Sequence, residues 1–171
     1  MSDPTTCDCV KRDDAQSLAA DGWPFHRILI ATDGSHTGAR ALQMGARLAG
    51  IGEAQLGVVY VVNNVAGFSP QFAWGPHTYE AEYTEKAHEL LDRLTRKLPL
   101  GLAVERIVRV GDPGKEIVAV AETWKPDLLI VGGPSHRRLG RLLLGSVDEA
   151  VLDRVHCCVL ILPPDAEPAS R

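Results

Sequence analysis

Short apolar runs alternate with amphipathic segments along most of this 171-residue chain. Continuous apolar runs are typical of strands buried on both faces of a sheet, whereas apolar positions three or four residues apart are typical of helices. The pattern predicts five strands, at residues 28–31, 56–62, 104–110, 127–131 and 158–162. Between them it predicts four helices, which begin at Ser35 or Thr37, Thr78, Pro113 and Ser146.

Capping residues mark the helix boundaries in this pattern. Asp112 precedes Pro113 in the order of an N-cap and a first-turn proline, and Ser146 and Glu149 have the spacing of a capping box. The second helix is expected to run to Leu98, just before a proline. Alternation of strands and helices implies a three-layer α/β/α fold, in which helices cover both faces of an open parallel five-stranded sheet.

Both ends of the chain differ from the periodic middle. Residues 1–25 are polar, charged and non-periodic, so we expect a flexible arm whose end is anchored by Trp23 and Phe25. The folded domain is expected to span residues 26–163, and the proline-rich residues 164–171 are expected to be a disordered tail.

Charge and hydropathy narrow the classes of protein. The net charge of −4 gives no sign of a nucleic-acid partner. No apolar run approaches the roughly 20 residues that span a bilayer, so we expect no membrane association. The first residues lack the apolar core of a secretion signal, so a cytoplasmic protein is expected.

Four cysteines lie in two clusters at opposite ends of the chain, Cys7 with Cys9 and Cys157 with Cys158. Neither cluster has the C-x2-C spacing of a zinc site, so we expect free thiols in a reducing compartment. Cys157 and Cys158 are expected to be small, mostly buried residues where the last strand begins. Redox or metal sensing by Cys7 and Cys9 is the alternative.

The stretch 130–147 has the composition of a phosphate site. A predicted strand ends at Gly132 and Gly133, a basic loop follows at residues 136–141, and Gly145 and Ser146 open the last helix. Glycines let a backbone approach an anion closely, and a helix N-terminus directs amide groups and a positive dipole end at it. Arginines in the loop can bind phosphate oxygens bidentately.

The spacing Gly132-x2-Ser135-x9-Gly145-Ser146 resembles the G-x2-G-x9-G-[ST] motif of universal stress proteins, with serine at the second glycine. The segment Thr32-Asp33-Gly34-Ser35 is similar to the turn that follows the family's first strand. The resemblance covers residues 27–162. It implies a Rossmann-like sheet of the adenine nucleotide alpha hydrolase type, with strand order 3-2-1-4-5, so that the first and fourth strands are neighbours.

The resemblance also implies a site for an adenine nucleotide, ATP or else AMP or ADP. Asp33 would accept ribose hydroxyls or hold hydrated Mg²⁺, with a purely structural Asx-turn as the alternative. The backbone of Val61 would face the adenine edge. The candidate binding residues are Ala31, Thr32, Asp33, Val61, Gly132, Gly133, Ser135, His136, Arg137, Gly145, Ser146 and Val147.

The function expected from this resemblance is that of a nucleotide-dependent sensor or regulator in the stress response, with an unknown protein partner. No residue is expected to be catalytic, and any ATP hydrolysis would be slow, because the chain has no P-loop and no obvious arginine finger. Family members often pair the strand at 158–162 across a two-fold axis, which implies a homodimer.

Two other functions stay open at this point. Ser135 and its neighbour Pro134 favour a stress-family dimer that binds no nucleotide and acts only through protein interaction. An enzyme for adenylyl transfer is the other alternative, although the chain lacks the pyrophosphatase loop and the nucleophile motifs of such enzymes.

Overall fold

The computed structural model describes residues 22–63, 76–99, 101–132 and 146–163. Within these ranges five strands and four helices alternate along the chain. The strands are β1 (Arg27–Ala31), β2 (Gln55–Val62), β3 (Val104–Val110), β4 (Leu128–Gly132) and β5 (Cys158–Leu162). The helices are α1 (His36–Gly52), α2 (Pro76–Thr95), α3 (Pro113–Trp124) and α4 (Ser146–Arg154).

All five strands form one parallel sheet in the order β3-β2-β1-β4-β5. The expected fold class and strand order are therefore confirmed. One face of the sheet packs against α1 and α2 around Ile28, Ile30 and Val58. The other face packs against α3 and α4 around Leu29 and Leu129. Successive residues of β1 thus enter opposite cores, which explains why this strand is continuously apolar.

The predicted capping residues begin two of the helices. The Ser35 hydroxyl accepts a hydrogen bond from the Gly38 amide at 3.1 Å, and α1 starts at the next residue. The Asp112 carboxylate accepts one from the Lys115 amide at 3.0 Å, with Pro113 as the first residue of α3. These side chains satisfy amide groups that have no partner within the helix.

Helix α2 ends at Thr95, so the predicted continuation to Leu98 is wrong. The last residues tighten into a turn in which the Leu98 amide donates to the Thr95 carbonyl at 3.0 Å. The Thr95 hydroxyl donates to the Leu91 carbonyl and accepts from the Arg106 guanidinium, both at 2.8 Å. A contact with β3, far along the chain, accompanies this helix end, and helical periodicity alone could not predict it.

The segment that precedes β1 packs on the far end of α1. Trp23 lies against Gly52, where a Cβ atom would fall only 1.8 Å from the indole ring. Phe25 meets Trp23 edge-on, with ring centroids 5.8 Å apart, and also packs against the first core. Trp23 and Phe25 therefore join the domain, as their positions in the sequence predict.

Candidate functional site

The carboxyl ends of three neighbouring strands, β2, β1 and β4, lie along one edge of the sheet, and β2 continues past the last residue of β1. Ala31, the last residue of β1, is paired with Val59 on one side and Val131 on the other. Ligands of such sheets bind beyond this edge, where the strand order reverses. The edge carries five of the predicted site residues: Ala31, Thr32, Asp33, Val61 and Gly132.

The turn after β1 is held by its own side chains. The buried Thr32 hydroxyl accepts from the Gly34 amide at 3.2 Å, and Asp33 Oδ1 accepts from the Ser35 amide at 2.9 Å. Gly34 has a φ of 78°, which favours glycine. The Asx-turn expected as the structural alternative is therefore present. It uses one of two carboxylate oxygens, so Asp33 can shape the turn and still contact a ligand.

The backbone of Val61 is directed toward the space beyond β1. Alternate residues of β2 form hydrogen bonds with the segment that contains β1. The Gln55 amide donates to the His26 carbonyl, and the Val59 carbonyl accepts from the Thr32 amide at 3.0 Å. Odd-numbered residues of β2 therefore turn their amide and carbonyl groups toward β1. Val61 follows this alternation, but β1 has ended at Ala31. Its polar backbone groups consequently face the space beyond the end of β1, where sheets of this kind have their ligand crevice.

The first turn of α1 packs tightly against the end of β4. A Cβ atom on Gly132 would lie 3.1 Å from the Gly38 amide nitrogen, and one on Gly38 would lie 2.5 Å from the Thr32 hydroxyl oxygen. These two glycines bring the start of α1 against the strand ends. Gly38 is a positioning residue that the sequence reasoning missed. The only signal for it was a small residue three positions after the Ser35 cap.

The remaining predicted site residues divide into two groups. Helix α4 begins at Ser146. Val147 is half-buried and packs against the core that contains Ala31, and Val61 packs against the same core. The others lie outside the described residues: Gly133, Ser135, His136, Arg137 and Gly145.

The two cysteines before and within β5 are free thiols with unequal exposure. Burial raises the pKa of the Cys157 thiol. Cys158 is exposed, so the expectation of a mostly buried pair is wrong for it. The reason is that β5 is the edge strand of the described sheet, so among the described strands only β4 lies beside its first residue. Cys7 and Cys9 lie outside the described residues.

Across residues 22–63, 76–99, 101–132 and 146–163, no three His, Cys, Asp or Glu side chains cluster as a metal site would require. No helix in that same part of the chain combines the length and the hydropathy needed to cross a membrane.

Comparison with solved structures finds the same fold in other proteins. The structure of MJ0577 from Methanocaldococcus jannaschii matches with a TM-score of 0.73 and 26% identity, over 84% of this chain and 99% of that one. A universal stress protein in complex with cAMP matches with a TM-score of 0.58 and 26% identity, over 82% of this chain and 98% of that one.

Sequence comparison identifies the family directly. The universal stress protein MJ0531 of Methanocaldococcus jannaschii is 32% identical over 140 residues, which cover 81% of this chain and 82% of that protein. The model of the universal stress protein family matches residues 24–163, which include every described strand and helix. The chain therefore belongs to the universal stress protein family.

Proposed function

We propose that this universal stress protein binds an adenine nucleotide at the carboxyl edge of β2, β1 and β4, and acts as a nucleotide-dependent sensor or regulator. The observation that carries the proposal is the convergence of three unlike groups at one edge. The Val61 backbone faces the crevice, the Asp33 carboxylate follows β1, and Gly132 ends β4. A nucleotide site needs polar groups for the edge of the base, an acceptor for the ribose hydroxyls and a glycine that lets the phosphates come close to the backbone. Val61, Asp33 and Gly132 would supply these in that order.

The relative crystallised with cAMP supports the adenine base as the shared ligand group. For this chain the finer proposal is ATP, or else ADP or AMP, with Mg²⁺ held by way of the phosphates. Val61 would pair with the adenine edge through its amide and carbonyl. Asp33 would accept ribose hydroxyls or contact hydrated Mg²⁺. Phosphates would lie between Gly132 and the Gly145-Ser146 segment, which matches the family motif.

Calorimetric titration of nucleotide-stripped protein tests the proposal. ATP, ADP, AMP and cAMP are titrated separately, with and without Mg²⁺. We expect micromolar binding of at least one of them, and its loss in Gly145→Val, because a branched side chain would obstruct the close approach of phosphate. A folded wild-type protein that binds none of the four would refute the nucleotide proposal. Ser135→Gly shows whether the serine weakens the site.

Asp33 offers a matched pair of variants. Asparagine keeps the oxygen that accepts from the Ser35 amide, so Asp33→Asn preserves the Asx-turn and removes only the charge. Asp33→Ala removes both. If the carboxylate contacts ribose or Mg²⁺, Asp33→Asn weakens binding by roughly tenfold or more, and Asp33→Ala weakens it at least as much. If Asp33 serves only the turn, Asp33→Asn binds like the wild type.

We also propose that two copies of this chain form a homodimer through β5. β5 is an edge of the described sheet, and the Cys158 amide donates to β4 at Asp127. By strand alternation, Val159 and Ile161 turn their amides and carbonyls outward. The side chains of Val159, Leu160 and Ile161 are only half-buried. An apolar edge of this kind favours pairing with a second copy.

Sedimentation velocity over a concentration series tests this dimer. Ile161→Lys places a charge on the edge strand, beside the backbone groups that would pair, and is expected to shift the protein from dimer to monomer. Circular dichroism checks that this half-buried position tolerates lysine. Tyr83→Lys is the control, because Tyr83 is an exposed apolar residue on α2, away from β5. Equal association of Ile161→Lys and wild type would contradict the β5 interface. A dimer that forms without binding any nucleotide would favour the interaction-only alternative.

A further inference from the structure

The opposite edge of the sheet, β3, also exposes a row of backbone groups. The Leu56 amide donates to the Ala103 carbonyl at 3.4 Å, and the Gly111 amide donates to the Val62 carbonyl at 3.0 Å. Odd-numbered residues on this side therefore bond to β2. The even-numbered residues 104, 106, 108 and 110 turn their amides and carbonyls away from the sheet. No strand in the described part of the chain pairs with these four regularly spaced positions.

A groove of about 480 Å³ runs along this edge. Its walls include His88 from α2 and Val120, Thr123 and Trp124 from α3. Because α2 and α3 cover opposite faces of the sheet, a groove that both helices line must lie beyond the edge strand rather than above or below it. The groove is therefore placed where one more strand would extend the sheet.

The side chains of β3 are arranged so that the strand complements itself. In an antiparallel pair related by a two-fold axis at Ile107, residues whose numbers sum to 214 lie opposite one another. The outward-facing residues Arg106 and Val108 then form the hydrogen-bonded pairs, as the alternation requires. Glu105 lies opposite Arg109 of the other copy at the non-hydrogen-bonded positions, where side chains are closest. Each two-fold pair thus gains two Glu–Arg contacts.

The charged groups of the edge are compatible with this pairing. Glu105 uses Oε2 to accept from the Trp124 indole at 2.8 Å, which leaves its other oxygen for a second donor. Arg106 is held on the α2 side by Asp92, at 3.1 Å. Within the described ranges, Arg109 makes a single hydrogen bond, a long one of 3.4 Å, to the Val108 carbonyl of the same copy. In the pair, the Arg106 amide of the other copy would donate to that carbonyl in place of the Arg109 side chain. Arg109 could then contact Glu105 of the other copy.

We propose that β3 is a second self-association edge, at which two copies of this chain pair their β3 strands antiparallel around Ile107. This interface is separate from the β5 dimer, and the proposal does not depend on it. With both edges occupied, two different two-fold contacts join each copy to two others. The assembly is then a closed tetramer or an open chain of dimers.

Sedimentation velocity and equilibrium over a wide concentration range test the proposal, with the full-length protein and with Ile161→Lys to suppress pairing at β5. Arg109→Glu is the main variant, because it replaces two Glu–Arg contacts by two Glu–Glu contacts. It alters an exposed side chain whose one described bond is long. We expect its association constant at β3 to fall roughly tenfold or more. Circular dichroism and Tm confirm that the variant is folded.

Mixing two variants gives the decisive control. Arg109→Glu carries glutamate at both positions, and Glu105→Arg carries arginine at both, so each opposes its own copies but complements the other variant. A mixture is expected to form the heterodimer at wild-type strength or close to it. The proposal is overturned if wild type shows no association that Arg109→Glu weakens, or if folded Arg109→Glu and Glu105→Arg fail to associate with each other. Should Glu105→Arg not fold without its Trp124 bond, Arg109→Glu alone decides.

Discussion

Asp127 ties together the starts of three strands, and its removal gives a quantitative test of the fold. Its Oδ2 atom accepts hydrogen bonds from the His26 and Arg27 amides, both at 2.8 Å. Its own amide donates to the Arg27 carbonyl, and its carbonyl accepts from the Cys158 amide. Replacing Asp127 by alanine keeps the two backbone bonds but leaves the two amides at the start of β1 without their carboxylate acceptor.

The magnitude follows from the exposure of these amides. A hydrogen bond to a charged group contributes about 1.5–3 kcal/mol when it is shielded from water, and less when water can replace the lost partner. The Arg27 amide is partly buried, whereas the His26 amide is exposed. Asp127→Ala should therefore lower the free energy of unfolding by about 2–4 kcal/mol. Asp127→Asn retains an oxygen acceptor without the charge and should cost about 1 kcal/mol.

Urea unfolding followed by circular dichroism at pH 7 measures both variants, with thermal unfolding as a second probe. A loss of this size in a domain of about 140 residues, the span of the family match, corresponds to a Tm lower by roughly 5–15 °C. The m-value should not change, since the surface exposed on unfolding stays the same. If Asp127→Ala loses less than about 0.5 kcal/mol, or if Asp127→Asn is as unstable as Asp127→Ala, the assigned role of the carboxylate is wrong.

Two further outcomes are expected. Gly57→Ala should lower the free energy of unfolding by about 1–3 kcal/mol, because its Cβ atom would lie 2.9 Å from the Trp124 ring. The control Gly50→Ala, whose Cβ atom would meet nothing within 4 Å, should be neutral or stabilising, and equal effects of the two in urea unfolding would contradict the packing argument. Alkylation by iodoacetamide, followed by mass spectrometry across a pH series, should label Cys158 before Cys157, since burial raises the pKa of the Cys157 thiol and so lowers its thiolate fraction at pH 8. Faster or equal labelling of Cys157 would refute this order.

The elements of the fold could be predicted from the sequence because each one follows from local chemistry. β2 is apolar along its length since both of its faces are covered, and the Ser35 and Asp112 caps act within one helical turn. Predictions failed where a feature depends on parts of the chain that are far apart in sequence. The end of α2 involves Arg106 from β3, and the exposure of Cys158 follows from the edge position of β5.

The candidate site can be picked out from the sequence for a different reason, although its binding role stays a prediction. Thr32-Asp33-Gly34-Ser35 and Gly132 belong to motifs whose residue types are constrained, so the sequence singles them out. Gly38 has no such signal, because its need for a small residue arises only when α1 meets Thr32 and the end of β4. The orientation of the Val61 backbone likewise depends on where β1 stops relative to β2, which is a property of the register.

The residues that stabilise the strand starts and the residues of the proposed nucleotide site lie at opposite ends of the strands, and this separation can be tested. The amino edge holds the Asp127 bonds and the Arg27 side chain, which stacks 4.2 Å from the Trp124 ring. The carboxyl edge holds Asp33.

β1 joins the two edges and has five residues, or about 16 Å of strand. Sites more than about 10 Å apart without shared partners act almost additively. Asp127→Ala should therefore lower stability without changing nucleotide affinity, and Asp33→Asn should change affinity without lowering stability. Adding both substitutions to one chain should reproduce the two effects unchanged, whereas strong coupling between them would mean that the strands transmit strain from one edge to the other.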